Sequence, residues 1–137
     1  MMDARSLKKI LIVDDDQEIC DFLLDFFNDN GYQTYAISKK DQVLEFVAAR
    51  KPDVILLDIR LSGGESNHDG IVLLEEIKKR YPSVKVIMMT GVDDPVIIDK
   101  AIKLGASDYI TKPLSLDYLE DTVALKIQEY FQRENGK

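Results

Sequence analysis

The chain has 137 residues, 45% apolar and 31% charged, which suits one folded domain and excludes a disordered chain. Eighteen basic residues against 25 acidic ones leave a net charge of −7, which argues against direct binding to nucleic acid or an anionic membrane. The single cysteine, Cys20, excludes an intramolecular disulfide framework and a cysteine-based zinc site, and no apolar run suits a signal peptide or approaches a membrane span of about 18 residues, so a cytoplasmic protein is expected.

Short apolar runs alternate with amphipathic stretches along the chain. Ile10–Val13 is the first run and predicts a strand. Ile19, Phe22, Leu23, Phe26 and Phe27 then recur at helical spacing, with Gly31 as a stop. Gln33–Ile37 predicts a second, weaker strand. Val43, Leu44, Phe46 and Val47 mark a second helix that ends at Lys51-Pro52. Val54–Leu57 predicts the third strand, and Ile71, Leu74 and Ile77 mark a third helix stopped at Tyr81-Pro82. Val84–Met89 predicts the fourth strand. A fourth helix follows, with Asp94 as N-cap, Pro95 in its first turn and Gly105 after its end. Tyr109–Thr111 predicts the fifth strand. The last helix begins near Ser115 and carries Leu116, Leu119, Val123, Ile127 and Tyr130. Continuous apolar strands separated by helices predict an α/β fold with a doubly wound parallel sheet and right-handed crossovers. In such sheets the ligand sits beyond the carboxyl ends of the strands.

What stands at those ends is polar. The first run closes on Asp14-Asp15-Asp16, the third on Asp58, the fourth on Thr90-Gly91 and the fifth on Thr111-Lys112-Pro113. Asp16 directly precedes a helix and reads as its cap. Crowded carboxylates resist joint ionisation unless a cation joins them, and hard oxygen ligands suit Mg²⁺. With a lysine and a hydroxyl as donors beside the metal, the set reads as a phosphoryl site. A dinucleotide site would want a glycine-rich turn after the first strand, where this chain has aspartates. Cys20 reads as a small apolar side chain, and His68 as a solvated loop residue.

The motifs Ile10-Leu-Ile-Val-Asp-Asp-Asp, Asp53-Val-Ile-Leu-Leu-Asp58, Val86-Ile-Met-Met-Thr90-Gly91 and Gly105-Ala-Ser-Asp-Tyr-Ile-Thr-Lys112-Pro113, in this order and spacing, resemble the response-regulator receiver domains of two-component signalling, the chemotaxis regulator among them. The resemblance runs over about Lys8 to Gln132 and treats residues 1–137 as one domain. It implies a flavodoxin-like sheet of order 2-1-3-4-5 with five helices. It also implies that Asp58 accepts a phosphoryl group from a sensor histidine kinase or histidine phosphotransferase. Asp14, Asp15, Asp58 and the Arg60 backbone carbonyl would hold Mg²⁺, Lys112 would pair with the phosphoryl group, and Thr90 would hydrogen-bond it. Tyr109 matches the switching aromatic that couples the site to an output face built by the fourth helix, fifth strand and fifth helix. The resemblance further implies a cis Lys112-Pro113 peptide, an output partner of unknown identity, and a homodimer formed on phosphorylation.

The chain departs from the family pattern after Asp58. Ser62 replaces a proline, and Gly70 of the Asp-Gly pair stands twelve residues after Asp58, so the loop Ser62–Asp69 is about four residues longer. Arg60 and Val92 offer no carboxylate or amide to orient an attacking water, so a long-lived aspartyl phosphate is expected. Two other readings remain open. Asp14-x-Asp16, Thr90 and Lys112 imitate a haloacid-dehalogenase-like phosphatase with Asp14 as nucleophile, and a pseudo-receiver would act without phosphorylation. The length also leaves open a stand-alone regulator or a piece of a longer one.

Overall fold

The computed structural model describes residues 8–61, 69–91 and 95–135, with side chains to residue 132. The loop residues Ser62–His68, and with them Val92 and the expected cap Asp94, lie outside the described residues.

Five strands, β1 (Lys9–Val13), β2 (Gln33–Ile37), β3 (Val54–Asp58), β4 (Lys85–Thr90) and β5 (Asp108–Thr111), form one sheet of order β2-β1-β3-β4-β5. All neighbours pair in parallel. The side chains of the three inner strands, β1, β3 and β4, alternate between two cores, which is why those runs are apolar almost throughout. The edge strands β2 and β5 are partly exposed and more polar. Leu11, Val13, Ile55, Leu57, Val86 and Met88 face one side, where α2 (Val43–Arg50), α3 (Asp69–Arg80) and α4 (Pro95–Lys103) cover them through Val47, Leu74, Ile77 and Ala101. Ile10, Ile12, Val54, Leu56, Ile87 and Met89 face the other side, under α1 (Gln17–Asp29) and the last helix.

Local chemistry sets the helix ends. The Asp16 carboxylate caps α1 by accepting from the Glu18 and Ile19 amides, at 3.0 and 3.4 Å. Gly31 and Gly105, after α1 and α4, have φ of 93° and 112°, the left-handed region in which glycine is not strained. A 3₁₀ turn, Lys40–Gln42, leads into α2.

Several boundaries differ from the sequence expectation by a residue, β1 beginning at Lys9 and β5 at Asp108. Asp58 belongs to β3 itself, and β4 runs from Lys85 to Thr90. Asp69, assigned to the loop, is the first residue of α3, where its negative charge suits the helix N-terminus. The last helix, α5, is not uniform: Leu116–Tyr118 is α-helical, Leu119–Val123 is a π-helical turn and Ala124–Asn135 is α-helical again. The reason lies in the spacing of its core residues. Leu119, Val123, Ile127 and Phe131 are all buried and lie four apart. In a straight α-helix such a row drifts by about 40° per step, and the wider π turn offsets part of that drift. Among the described residues no helix is long and apolar enough to cross a membrane.

Candidate phosphoryl-acceptor site

The parallel register brings the carboxyl ends of β1, β3, β4 and β5 to one edge, with Asp58 opposite Met89 and Thr90 opposite Thr111. The polar residues read at the strand ends meet there. Asp14 is wholly buried just past β1, Asp58 is 5% exposed and Thr90 6%. Asp15 is exposed at the rim. Carboxylate oxygens of Asp14, Asp15 and Asp58 lie within 4.8 Å of one another.

Lys112 joins two of these groups. Its Nζ stands 2.8 Å from Asp14 Oδ2 and 3.2 Å from Asp58 Oδ2. Backbone amides take the opposite oxygens, Asp16 N donating to Asp14 Oδ1 at 2.9 Å and Arg60 N to Asp58 Oδ1 at 3.1 Å. Arg60 itself is exposed. Lys112 N donates to the Thr90 carbonyl at 2.8 Å, and the Lys112-Pro113 peptide is cis. Tyr109 stands apart on β5, 38% exposed.

One ammonium therefore faces three carboxylates. Burial, with the Asp14 charge added, pushes the Asp58 carboxyl up to about 6 against the opposing pull of Lys112 and the Arg60 amide. Burial and Asp14 also raise Asp15. Burial alone would lower Lys112, but its bonds to Asp14 and Asp58 outweigh that and raise it. Asp58 therefore rises because burial and the Asp14 charge outweigh the lysine, and Lys112 rises because two carboxylates hold its proton. Asp14 Oδ2 is shielded from solvent and has no well-directed hydrogen bond among the described residues, which leaves the ammonium to balance it by charge. An all-oxygen set short of positive charge fits a hard divalent cation.

Two features escaped the sequence reading. The Cys20 thiol is more than apolar filler: it donates to the Asp14 carbonyl at 3.3 Å, and burial pushes it up to about 11, so it stays protonated. Gly70 matters more. Its N–H donates to the Ile59 carbonyl at 2.8 Å, and a Cβ there would stand 2.1 Å from the Asp58 carbonyl oxygen. The start of α3 thus lies directly on the Asp58 backbone, and Asp69 beside it pairs with Lys40 at 3.3 Å. The available signal was a glycine at a helix start, where glycine disfavours the helix unless a close approach demands it.

Residues 10–124 match the response regulator receiver domain. The nitrogen assimilation regulatory protein NtrX of Azorhizobium caulinodans is 41% identical over 110 residues, which cover 80% of this chain and 24% of that protein. The chain thus spans about a quarter of that relative. Sporulation initiation phosphotransferase F of Bacillus subtilis is 36% identical over 85% of this chain and 90% of its own length. A CheY-like response regulator receiver domain protein from Methanospirillum hungatei, 30% identical, superposes with a TM-score of 0.79 over 92% of this chain and 98% of its own. The sheet order, the buried aspartates at its edge and the match over most of the chain agree, and the chain belongs to the response-regulator receiver domains of two-component signal transduction.

Proposed function

We propose that the chain is a phosphorylation-driven switch in which Asp58 accepts the phosphoryl group of a phosphohistidine on a sensor histidine kinase or histidine phosphotransferase. The carrying observation is the placement of Asp58, with one oxygen on the Arg60 amide and the other beside Lys112. A carboxylate oxygen of Asp58 attacks phosphorus, a P–O bond forms as the P–N bond breaks, and the imidazole leaves. Asp14, Asp15, Asp58 and the Arg60 carbonyl would hold Mg²⁺. When bound, the ion supplies positive charge beside the transferring phosphoryl group. Lys112 adds a second cation and orients the phosphoryl oxygens, while burial of Asp14 and Asp58 strengthens each of these contacts. Thr90 then hydrogen-bonds the phosphoryl group and Tyr109 turns inward, which alters the face formed by α4, β5 and α5.

Asp14 is the weaker candidate for nucleophile. It is wholly buried, whereas Asp58 keeps a small exposed surface that a phosphodonor can reach. In this reading the chain is one receiver domain acting in the cytoplasm. Acetyl phosphate with Mg²⁺ should add one phosphoryl group, and Asp58→Asn should abolish labelling because an amide is not a competent nucleophile toward phosphorus. Full labelling of Asp58→Asn at the parent rate would contradict the assignment, and an unlabelled parent would favour the pseudo-receiver.

A further inference from the structure

The segment from Thr111 to Tyr118 closes on itself around Lys112. The Thr111 amide donates to the Tyr118 phenol oxygen at 3.2 Å, and the Tyr118 amide donates to Ser115 Oγ at 3.1 Å. The Leu119 amide adds a bond to the Ser115 carbonyl at 3.0 Å. Because β5 is the edge of the sheet among the described residues, no described strand meets the outer side of Thr111, and the phenol takes that amide instead. The Tyr118 ring packs against the α1–α5 core, which fixes where its hydroxyl can reach. A phenylalanine would pack the same way, so the hydroxyl itself serves the loop and not the core.

We propose that Tyr118 is a positioning residue for Lys112, its hydroxyl closing the β5–α5 loop that carries the lysine to the acceptor site. The proposal rests on the reading of Asp58 as phosphoacceptor. At rest the lysine is held at both ends. Its Nζ touches Asp14 and Asp58, and its backbone amide bonds Thr90. As a phosphoryl group and a divalent cation enter, the carboxylates turn to them, and the lysine must follow the incoming oxygens. Its backbone then decides where it can stand, through two anchors. One is the Thr90 carbonyl, and the other is the Thr111–Tyr118 closure. Phosphoryl transfer depends on such placement more than on covalent help.

Tyr118→Phe removes one oxygen and keeps the ring. With acetyl phosphate and saturating Mg²⁺, its labelling rate should fall about fivefold, since misplacement of a charged group slows transfer. Mg²⁺ affinity, measured by titration without a phosphodonor, should stay within about twofold, because hard carboxylate oxygens and not the loop hold the cation. Amide hydrogen exchange at Thr111 and Lys112 should be at least about threefold faster. An unchanged labelling rate overturns the proposal. So does a parallel loss of Mg²⁺ affinity, which a general loosening of the fold would cause. A parent protein that takes no label would overturn the acceptor reading instead, and the exchange rates would still decide whether the phenol holds the loop.

Discussion

Asp58 is held in a place that does not favour its charge. Its folded value of about 6 lies above the ordinary 3.8, so between those two pH values the folded protein binds more protons than the unfolded one. Stability therefore falls as pH rises through that window, and the full penalty stands above about 6. Asp58→Asn should stabilise the metal-free protein at pH 7 by about 1–2 kcal/mol, allowing for the partial compensation by Lys112 and by solvent. The gain should vanish near pH 4, and thermal unfolding in a chelator at the two pH values checks this. A site that destabilises its own apo fold is consistent with one shaped for an incoming cation and phosphate. At this scale much was legible. Asp14, Asp15, Asp58, Thr90 and Lys112 could be picked out because each ends an apolar run abruptly. Their bonds could not: nothing in the order of residues shows that Lys112 is shared between Asp14 and Asp58, or that the Cys20 thiol reaches the Asp14 carbonyl.

At the scale of elements, the start of α3 carries the sharpest steric demand. An exposed helical glycine changed to alanine would normally gain about 1 kcal/mol. Gly70→Ala should do the reverse and cost about 2–4 kcal/mol, because its Cβ would meet the Asp58 carbonyl, and backbone cannot step aside as a flexible side chain can. Denaturant unfolding reads the sign directly. Strands and helices were readable from period and punctuation, since β1, β3 and β4 are short apolar runs bounded by polar residues and separated by amphipathic stretches of helical period. The start of α3 at Asp69 was not, because loop and first turn share the same polar and glycine composition. Nor was the π turn in α5, which answers a fourfold spacing of Leu119, Val123, Ile127 and Phe131 that an ordinary amphipathic pattern tolerates.

For the whole molecule, the sheet links the edge that carries Asp58 to the face where Tyr109 stands. Thr90 ends β4 under cover and Tyr109 is exposed on the neighbouring strand, so a change at one is one strand away from the other. Beryllofluoride with Mg²⁺, a phosphoryl mimic, should shift the NMR signals of Tyr109 and α4 as the population moves toward a second packing. Thr90→Ala should accept the phosphoryl group and lose most of that shift, whereas shifts confined to the residues around Asp58 would count against coupling. All of this depends on where the phosphoryl group goes. The most direct measurement is to treat the protein with acetyl phosphate and Mg²⁺, reduce the acyl phosphate with borohydride, and locate the resulting homoserine by peptide mass mapping. Phosphotransfer to Asp58 predicts homoserine at position 58 alone. Homoserine at position 14, or none with the phosphoryl group retained elsewhere, would contradict it.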